Sequence, residues 1–388
     1  MSAVFPTYPE GMIRPVKGKG CWVWDEKGNS YLDFTSGIGV NLLGHVPEEV
    51  KKKVIEQLDQ IWHTSNLFTI SPQMELAKKL TEISGLDYVF FGNSGAEANE
   101  AAIKLARRYQ QKVKNRQRYQ IITFQQSFHG RTLATLTATG QMKVKDGFDP
   151  LPYGFVTIPY GDIEAFDKAV THETAAVMLE VIQGEGGIYQ ADPIWLSHLE
   201  QVAKEHDILL MVDEVQTGMG RTGEWFGFQN YPIKPDVITL AKGLGSGFPI
   251  GAMLGSEKTK EAFSLGSHGS TFGGNFIVTT AALATIETLQ KKEILSHVKE
   301  IGDDLKEQLQ KKLKKYPDYV EVRGKGLMIG IEWKKPVAPL VGLAKEQGLL
   351  VLTAGPNVLR LLPPLNISKE EVEQGIDRLI SSIEAWQK

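Results

Sequence analysis

The chain holds 388 residues, and 43 Lys and Arg against 46 Asp and Glu leave a net charge of -3. At 42% hydrophobic and 23% charged residues it has ordinary globular composition, long enough for one large domain and a smaller one. The balanced charge argues against a nucleic-acid binder, no apolar run nears the roughly 20 residues of a membrane span, and the single cysteine, Cys21, cannot form an intrachain disulfide. The prolines and Glu10 near the N-terminus do not read as a signal peptide, and a cytoplasmic location is expected.

Cys21–Trp24 and Tyr31–Phe34, joined by a Gly28-Asn29 turn, read as a hairpin. Ser71-Pro72 reads as an N-cap and first helical residue leading into Leu76, Leu80 and Ile83. Five short β-rich runs follow: Tyr88–Phe91, Tyr119–Phe124, Ala175–Val181, Ile208–Asp213 and Val237–Leu240. Between them lie helices such as Glu97–Tyr109, with Ala98, Ala102, Leu105 and Tyr109 on one face. Such alternation over Tyr88–Leu254 predicts a doubly wound, mostly parallel α/β domain, with ligands at the carboxyl ends of its strands.

After about Thr280 the pattern changes. Leu295, Val298, Ile301, Leu305, Leu309 and Leu313 mark a long amphipathic helix. Val320–Trp333 reads as strands separated by Arg323-Gly324-Lys325-Gly326. A final helix opens on the capping box Ser368-x-x-Glu371. The expected division is residues 46–280 as the large domain, 281–388 as a small α+β domain, and 1–45 joining the small one.

Lys242 follows the strand signal Ile238–Leu240 and precedes a glycine loop, so its amine should be partly desolvated and able to attack a carbonyl. Asp213 ends an apolar strand, either as a helix cap or as a charge kept for a ligand cation; no metal-ligand cluster completes it. Gly92–Glu100 runs from strand to helix, where Ser94-x-x-Glu97 is equally an ordinary capping box and the opening of a phosphate site. In Ser127–Thr132, Phe128 could stack on a flat ring and Arg131 could grip a carboxylate.

These residues together resemble the class III aminotransferases, pyridoxal-phosphate enzymes of fold type I. The likeness rests on motifs in order: Gly44-His45, His63–Phe68, Ser94–Ala98, Phe128–Arg131, Gln183–Gly187, Asp213–Gly218, Ala241–Gly243 and Ser270–Asn275. It implies that Lys242 carries the cofactor as a Schiff base and shuttles the substrate proton, that Asp213 pairs the pyridine nitrogen, and that Gln216 reaches the ring hydroxyl. Phe128 would stack on the ring, and Gly95 and Ala96 would give amides to the phosphate. Ser94, Glu214 and Val215 are expected around the cofactor. Thr271 would reach the phosphate from the other subunit of a homodimer with a shared active site, and Ser270 would lie at the same boundary near substrate.

By the same resemblance Arg131 holds one substrate carboxylate and Arg360 the α-carboxylate of 2-oxoglutarate, with Glu185 covering Arg360 when the amino donor is bound. Ile38 aligns where ornithine-specific members carry a tyrosine. That favours an N-acylated donor, N2-acetylornithine, over ornithine or GABA, while N-succinyl-diaminopimelate stays open. Gly44-His45-Val46-Pro47 is shorter than the family's usual stretch.

Overall fold

The computed structural model describes residues 3–8 and 13–388, so Glu10 lies outside the described residues. Three N-terminal strands, β1 (Pro15–Lys19), β2 (Trp22–Asp25) and β3 (Ser30–Asp33), form an antiparallel set. Asp25 pins the turn between the last two by accepting the amides of Lys27 and Asn29, both at 2.9 Å. On its far side β3 pairs in parallel with Leu349–Leu350, and Trp22 Nε1 donates to Glu371 at 3.0 Å. The N-terminal hairpin and the C-terminal chain therefore share one sheet.

The central strands are β4 (Tyr88–Gly92), β5 (Gln120–Phe124), β6 (Phe155–Ile158) and β7 (Thr174–Leu179). The short ribbon β8 (Ile182–Gln183) and β9 (Tyr189–Gln190) follows, then β10 (Leu209–Asp213), β11 (Val237–Leu240) and β12 (Gly251–Gly255). Apart from the ribbon they make one seven-stranded sheet in the order β4-β12-β11-β10-β7-β5-β6, with β12 antiparallel to both its neighbours.

Alternate residues of these strands feed two different cores. Met178, Leu209 and Met211 pack with Ala101, Ala102 and Leu105 of the helix Gly95–Arg108; Val177, Leu210 and Val212 pack with Leu196 and Leu199 of the helix Pro193–His206. A sheet covered on both faces by helices is what its unbroken apolar runs require. The C-terminal sheet has β13 (Tyr319–Lys325), β14 (Met328–Trp333), β16 (Leu352–Thr353) and β17 (Val358–Leu361) in the order β13-β14-β17-β16, while β15 (Leu349–Leu350) is the strand beside β3.

Some boundaries differ from expectation. The helix Ser71–Ser84 starts at Ser71 itself, with Pro72 in its first turn and Ile70 as a cap without a side-chain bond. Arg323, Gly324 and Lys325 do not separate strands but lie inside β13, opposite Gly330, Ile329 and Met328, leaving only Gly326-Leu327 as the turn. Gly324 reads as a breaker yet is needed in the strand, since a Cβ there would sit 2.0 Å from the Met328 carbonyl oxygen. Residue 280 falls within the helix Phe276–Lys291, which precedes the long amphipathic helix Ile294–Leu313.

Candidate active site

A cavity of about 450 Å³ opens where β4, β5, β7, β10 and β11 end and β12 begins. Asp213, the last residue of β10, lines it. Its Oδ1 accepts the Val215 amide at 3.0 Å, and its Oδ2 meets Asn99 Nδ2 and His129 Nδ1, both at 2.8 Å. Asn99 is fixed in turn, accepting from Thr239 Oγ1 at 2.6 Å and donating to the His129 carbonyl at 2.7 Å. Burial disfavours a charged His129, but the Asp213 carboxylate outweighs it and holds the imidazole above its usual pKa. A carboxylate so braced is a fixed partner for a cationic ligand atom.

Lys242 follows β11 at a backbone φ of 42°, in the left-handed region that a side-chain-bearing residue adopts only under constraint. Gly243 permits the crowding behind it, because a Cβ there would lie 2.5 Å from Leu42. Among the described residues the Lys242 amine has neither hydrogen bond nor ion pair. Desolvation depresses its pKa, with Arg360 adding to the effect and Glu185, Asp213 and Glu180 opposing it. The result is an amine readier than a surface lysine to be neutral and nucleophilic.

Ser94 caps the helix Gly95–Arg108, accepting the Glu97 amide at 3.2 Å, and Gly95 and Ala96 present the first helical amides to the cavity. The capping box stays half-formed: Glu97 turns its carboxylate to Asn93, accepting Nδ2 at 2.8 Å as well as the backbone amide. Phe128 lines the opposite wall with Arg131, whose guanidinium lies 5.5 Å from the ring centre and makes no ion pair among the described residues. Arg360, in β17, is buried and doubly bonded to Glu185, Nη1 to Oε1 at 2.6 Å and Nη2 to Oε2 at 3.2 Å. It also donates to the Gly184 carbonyl at 2.7 Å and to Gln216 Oε1 at 3.1 Å. Burial alone would raise the Glu185 pKa, but Arg360 beside it brings a net decrease.

The cavity thus gathers Ser94, Gly95, Ala96, Phe128, Arg131, Glu185, Asp213, Val215, Gln216 and Lys242; Arg360 backs it through Glu185 and Gln216. Glu214 is not part of it. Its carboxylate turns away to the amides of Gly227 and Phe228, at 2.8 and 2.7 Å. Ser270 and Thr271 also lie outside this chain's cavity, Thr271 exposed and Ser270 Oγ accepting from Asn93 Nδ2 at 3.3 Å. Ile38 does not line the cavity either; at φ 66° it points outward, 46% exposed, and Val40 lines the wall instead. Reasoning from sequence missed Asn99, His129 and Glu180 as cavity residues, although a polar Asn99 beside Ala98, Ala101 and Ala102 is a signal that its side chain has a partner.

A lysine and an aspartate at the ends of adjacent strands, facing helix-terminal amides, define a pyridoxal-phosphate-dependent enzyme of fold type I. The family model "Aminotransferase class-III" matches residues 6–383, and the chain belongs to that family. It is 52% identical over 375 residues to an acetylornithine aminotransferase of Bacillus cereus, covering 97% of this chain and 96% of that one. An acetylornithine aminotransferase of Bacillus subtilis is 50% identical, over 99% of this chain and 98% of its own. Among solved structures, an ornithine aminotransferase of Toxoplasma gondii superposes with a TM-score of 0.95 at 31% identity, covering 99% of this chain and 93% of that one. N-acetylornithine aminotransferase of Stenotrophomonas maltophilia does so at 0.85 and 38%, covering 98% and 97%.

Proposed function

We propose that the chain transfers the terminal amino group of N2-acetyl-L-ornithine to 2-oxoglutarate, giving N-acetyl-L-glutamate 5-semialdehyde and L-glutamate in arginine biosynthesis. The observation that carries this reading is the 2.6 Å Arg360–Glu185 pair, set behind the same cavity as Lys242 and Arg131. Glu185 covers the buried cation while a donor without a second carboxylate is bound, and moves aside for the dicarboxylate. The relatives named acetylornithine aminotransferase support the choice of donor.

Pyridoxal phosphate supplies an aldehyde that condenses with amines and a ring that accepts electrons. The residues present fit it: a lysine amine without a partner among the described residues, a braced carboxylate and a pair of helix-terminal amides meet in one cavity. Gly95 and Ala96 would hold the phosphate, Phe128 would cover one ring face, and Asp213 would keep the ring nitrogen protonated. Gln216 Nε2 uses one hydrogen on Glu185, at 3.3 Å, and keeps one for the ring hydroxyl. Lys242 Nζ, held toward neutrality by burial, would take the proton from the reacting carbon of the substrate and return it. Arg131, free of ion pairs among the described residues, would take the donor's α-carboxylate.

The acting unit is proposed to be a cytoplasmic homodimer, with Thr271 and Ser270 serving the partner's cavity. Supporting it, Asn66 ties the segment carrying exposed Trp62, Leu67 and Phe68 to Ser270 and Gly273, both at 3.1 Å, and exposed Phe272 lies against His63 of that segment, their ring centres 5.2 Å apart. Such neighbouring apolar surface suits burial against a second copy.

The test is a half-reaction. Cofactor-loaded protein is mixed with N2-acetylornithine, N-succinyl-diaminopimelate, ornithine or GABA without keto acid, and the visible cofactor absorbance is followed. Fastest conversion with N2-acetylornithine is expected, and none in Lys242→Ala; faster conversion with ornithine or GABA would move the substrate assignment within the family.

A further inference from the structure

Glu180 follows β7 directly, is buried, and lines the cavity without a role in the chemistry above. Its two carboxylate oxygens face different loops. Oε2 accepts the amide of Phe128 at 3.1 Å, and Oε1 accepts the amide of Gly184 at 3.3 Å. The first loop carries the ring-covering Phe128, and the second carries Glu185, the cover of Arg360.

The same loops meet again farther from Glu180, where Gln183 Nε2 donates to the Gln125 carbonyl at 2.8 Å and Gly186 abuts Gln126, a Cβ there falling 2.7 Å from its carbonyl oxygen. Tyr160 donates to the Glu180 carbonyl at 2.8 Å and anchors its backbone. A buried carboxylate is costly to hold, and a plain structural brace could be built from neutral groups, as Gln183 shows. What a carboxylate adds is a pair of equivalent acceptors, so that two amides from separate loops are held by one rigid group.

We propose that Glu180 is a positioning residue that couples the Phe128 loop to the Glu185 loop, so that the cover on Arg360 stays closed while the amino donor occupies the cavity. Burial raises the Glu180 pKa, with Asp213 adding to it, while His129 and the two amides oppose that rise. Glutamine in its place offers one carbonyl acceptor and turns an NH2 toward the other amide, which breaks one of the two links.

The experiment compares wild type with Glu180→Gln and, should that variant fold poorly, with Glu180→Asp, which keeps the carboxyl group but is too short to span both amides. Hydrogen exchange is read by mass spectrometry on the cofactor-free protein, in peptides covering 124–132 and 181–188. Exchange should quicken there by about five- to tenfold, the worth of one lost hydrogen bond, and not elsewhere. On loaded protein the two half-reactions are measured separately. With the cover loosened, the apparent KM for N2-acetylornithine should rise about five- to tenfold while that for 2-oxoglutarate stays level or falls. Unchanged exchange in both peptides, or equal slowing of both half-reactions, overturns the inference.

The kinetic arm rests on the proposed transamination. If wild type fails to react with N2-acetylornithine, that reading fails, and the exchange arm alone decides the role of Glu180.

Discussion

Asn99 shows how one buried amide can brace three neighbouring groups at once. It sits on a helical face of alanines, and its three hydrogen bonds run to Asp213 Oδ2, the His129 carbonyl and Thr239 Oγ1. Replacing it by Ala leaves all three groups buried and short of a partner, a larger effect than losing one exposed contact. The expected cost to cofactor-free stability is about 1–3 kcal/mol, read by urea denaturation, together with faster cofactor release from the loaded protein. A loss under about 0.5 kcal/mol, the range of ordinary surface changes, would mean that water takes the place of the amide.

Between strand and helix, Glu214 has a different task from its neighbour. Its carboxyl is buried, bonds Thr217 Oγ1 and the amides of Gly227 and Phe228, and titrates near about 7 rather than 4.5, chiefly through desolvation. No cation among the described residues pairs with it. Below pH 4.5 the folded and unfolded chains both carry the proton; between there and about 7 only the folded chain does. Stability contributed by this group is therefore full below that window and falls as pH rises through it, by on the order of 3 kcal/mol. In Glu214→Gln the loss of stability between about pH 5 and pH 8 should be smaller than in wild type by a measurable part of that amount. An identical loss in both proteins, measured by urea denaturation, would show that the carboxyl does not hold its proton.

That second role was hidden for a physical reason. Glu214 and Asp213 are adjacent at a strand end, where successive side chains point opposite ways, and the partners of Glu214 lie at Gly227 and Phe228 in a short 3-10 turn without periodic signal. The central strands were legible because burial on both faces leaves unbroken apolar runs, as in Leu209–Asp213 and Val237–Leu240. The cavity position of Lys242, Asp213, Phe128 and Arg131 was legible too, because the carboxyl-end rule collects residues far apart in the chain. Ile38 was not. An alignment position says nothing of burial, and on this chain Ile38 is 46% exposed while Val40 lines the cavity.

At the scale of the molecule, the cavity at the strand ends of the central sheet is backed by the C-terminal sheet through Arg360. The loop 184–188 joins the two strands of the β8–β9 ribbon and is held by the C-terminal sheet twice, by Arg360 of β17 on the Gly184 carbonyl at 2.7 Å and by Arg323 of β13 on the Gly187 carbonyl at 2.8 Å. Only the first arginine also grips a carboxylate from the loop, Glu185. On the proposed reading, opening that pair would cost a charge-assisted bond when the dicarboxylate enters, whereas the donor would bind with it intact. Glu185→Gln removes the cost from one half-reaction and the neutralising charge from the other. With a neutral amide in place of the carboxylate, Arg360 faces the incoming aliphatic amine as a buried cation without a counter-charge, holding one amide oxygen of the new side chain besides the Gly184 carbonyl and Gln216 Oε1. The donor half-reaction should therefore lose about tenfold or more in kcat/KM, while 2-oxoglutarate binds as tightly as before or tighter. Rapid mixing of each substrate with the appropriately loaded variant separates the two. Equal losses on both sides would mean that Glu185 supports the cavity wall without gating Arg360, and a loss confined to 2-oxoglutarate would mean that Glu185 helps to seat the dicarboxylate.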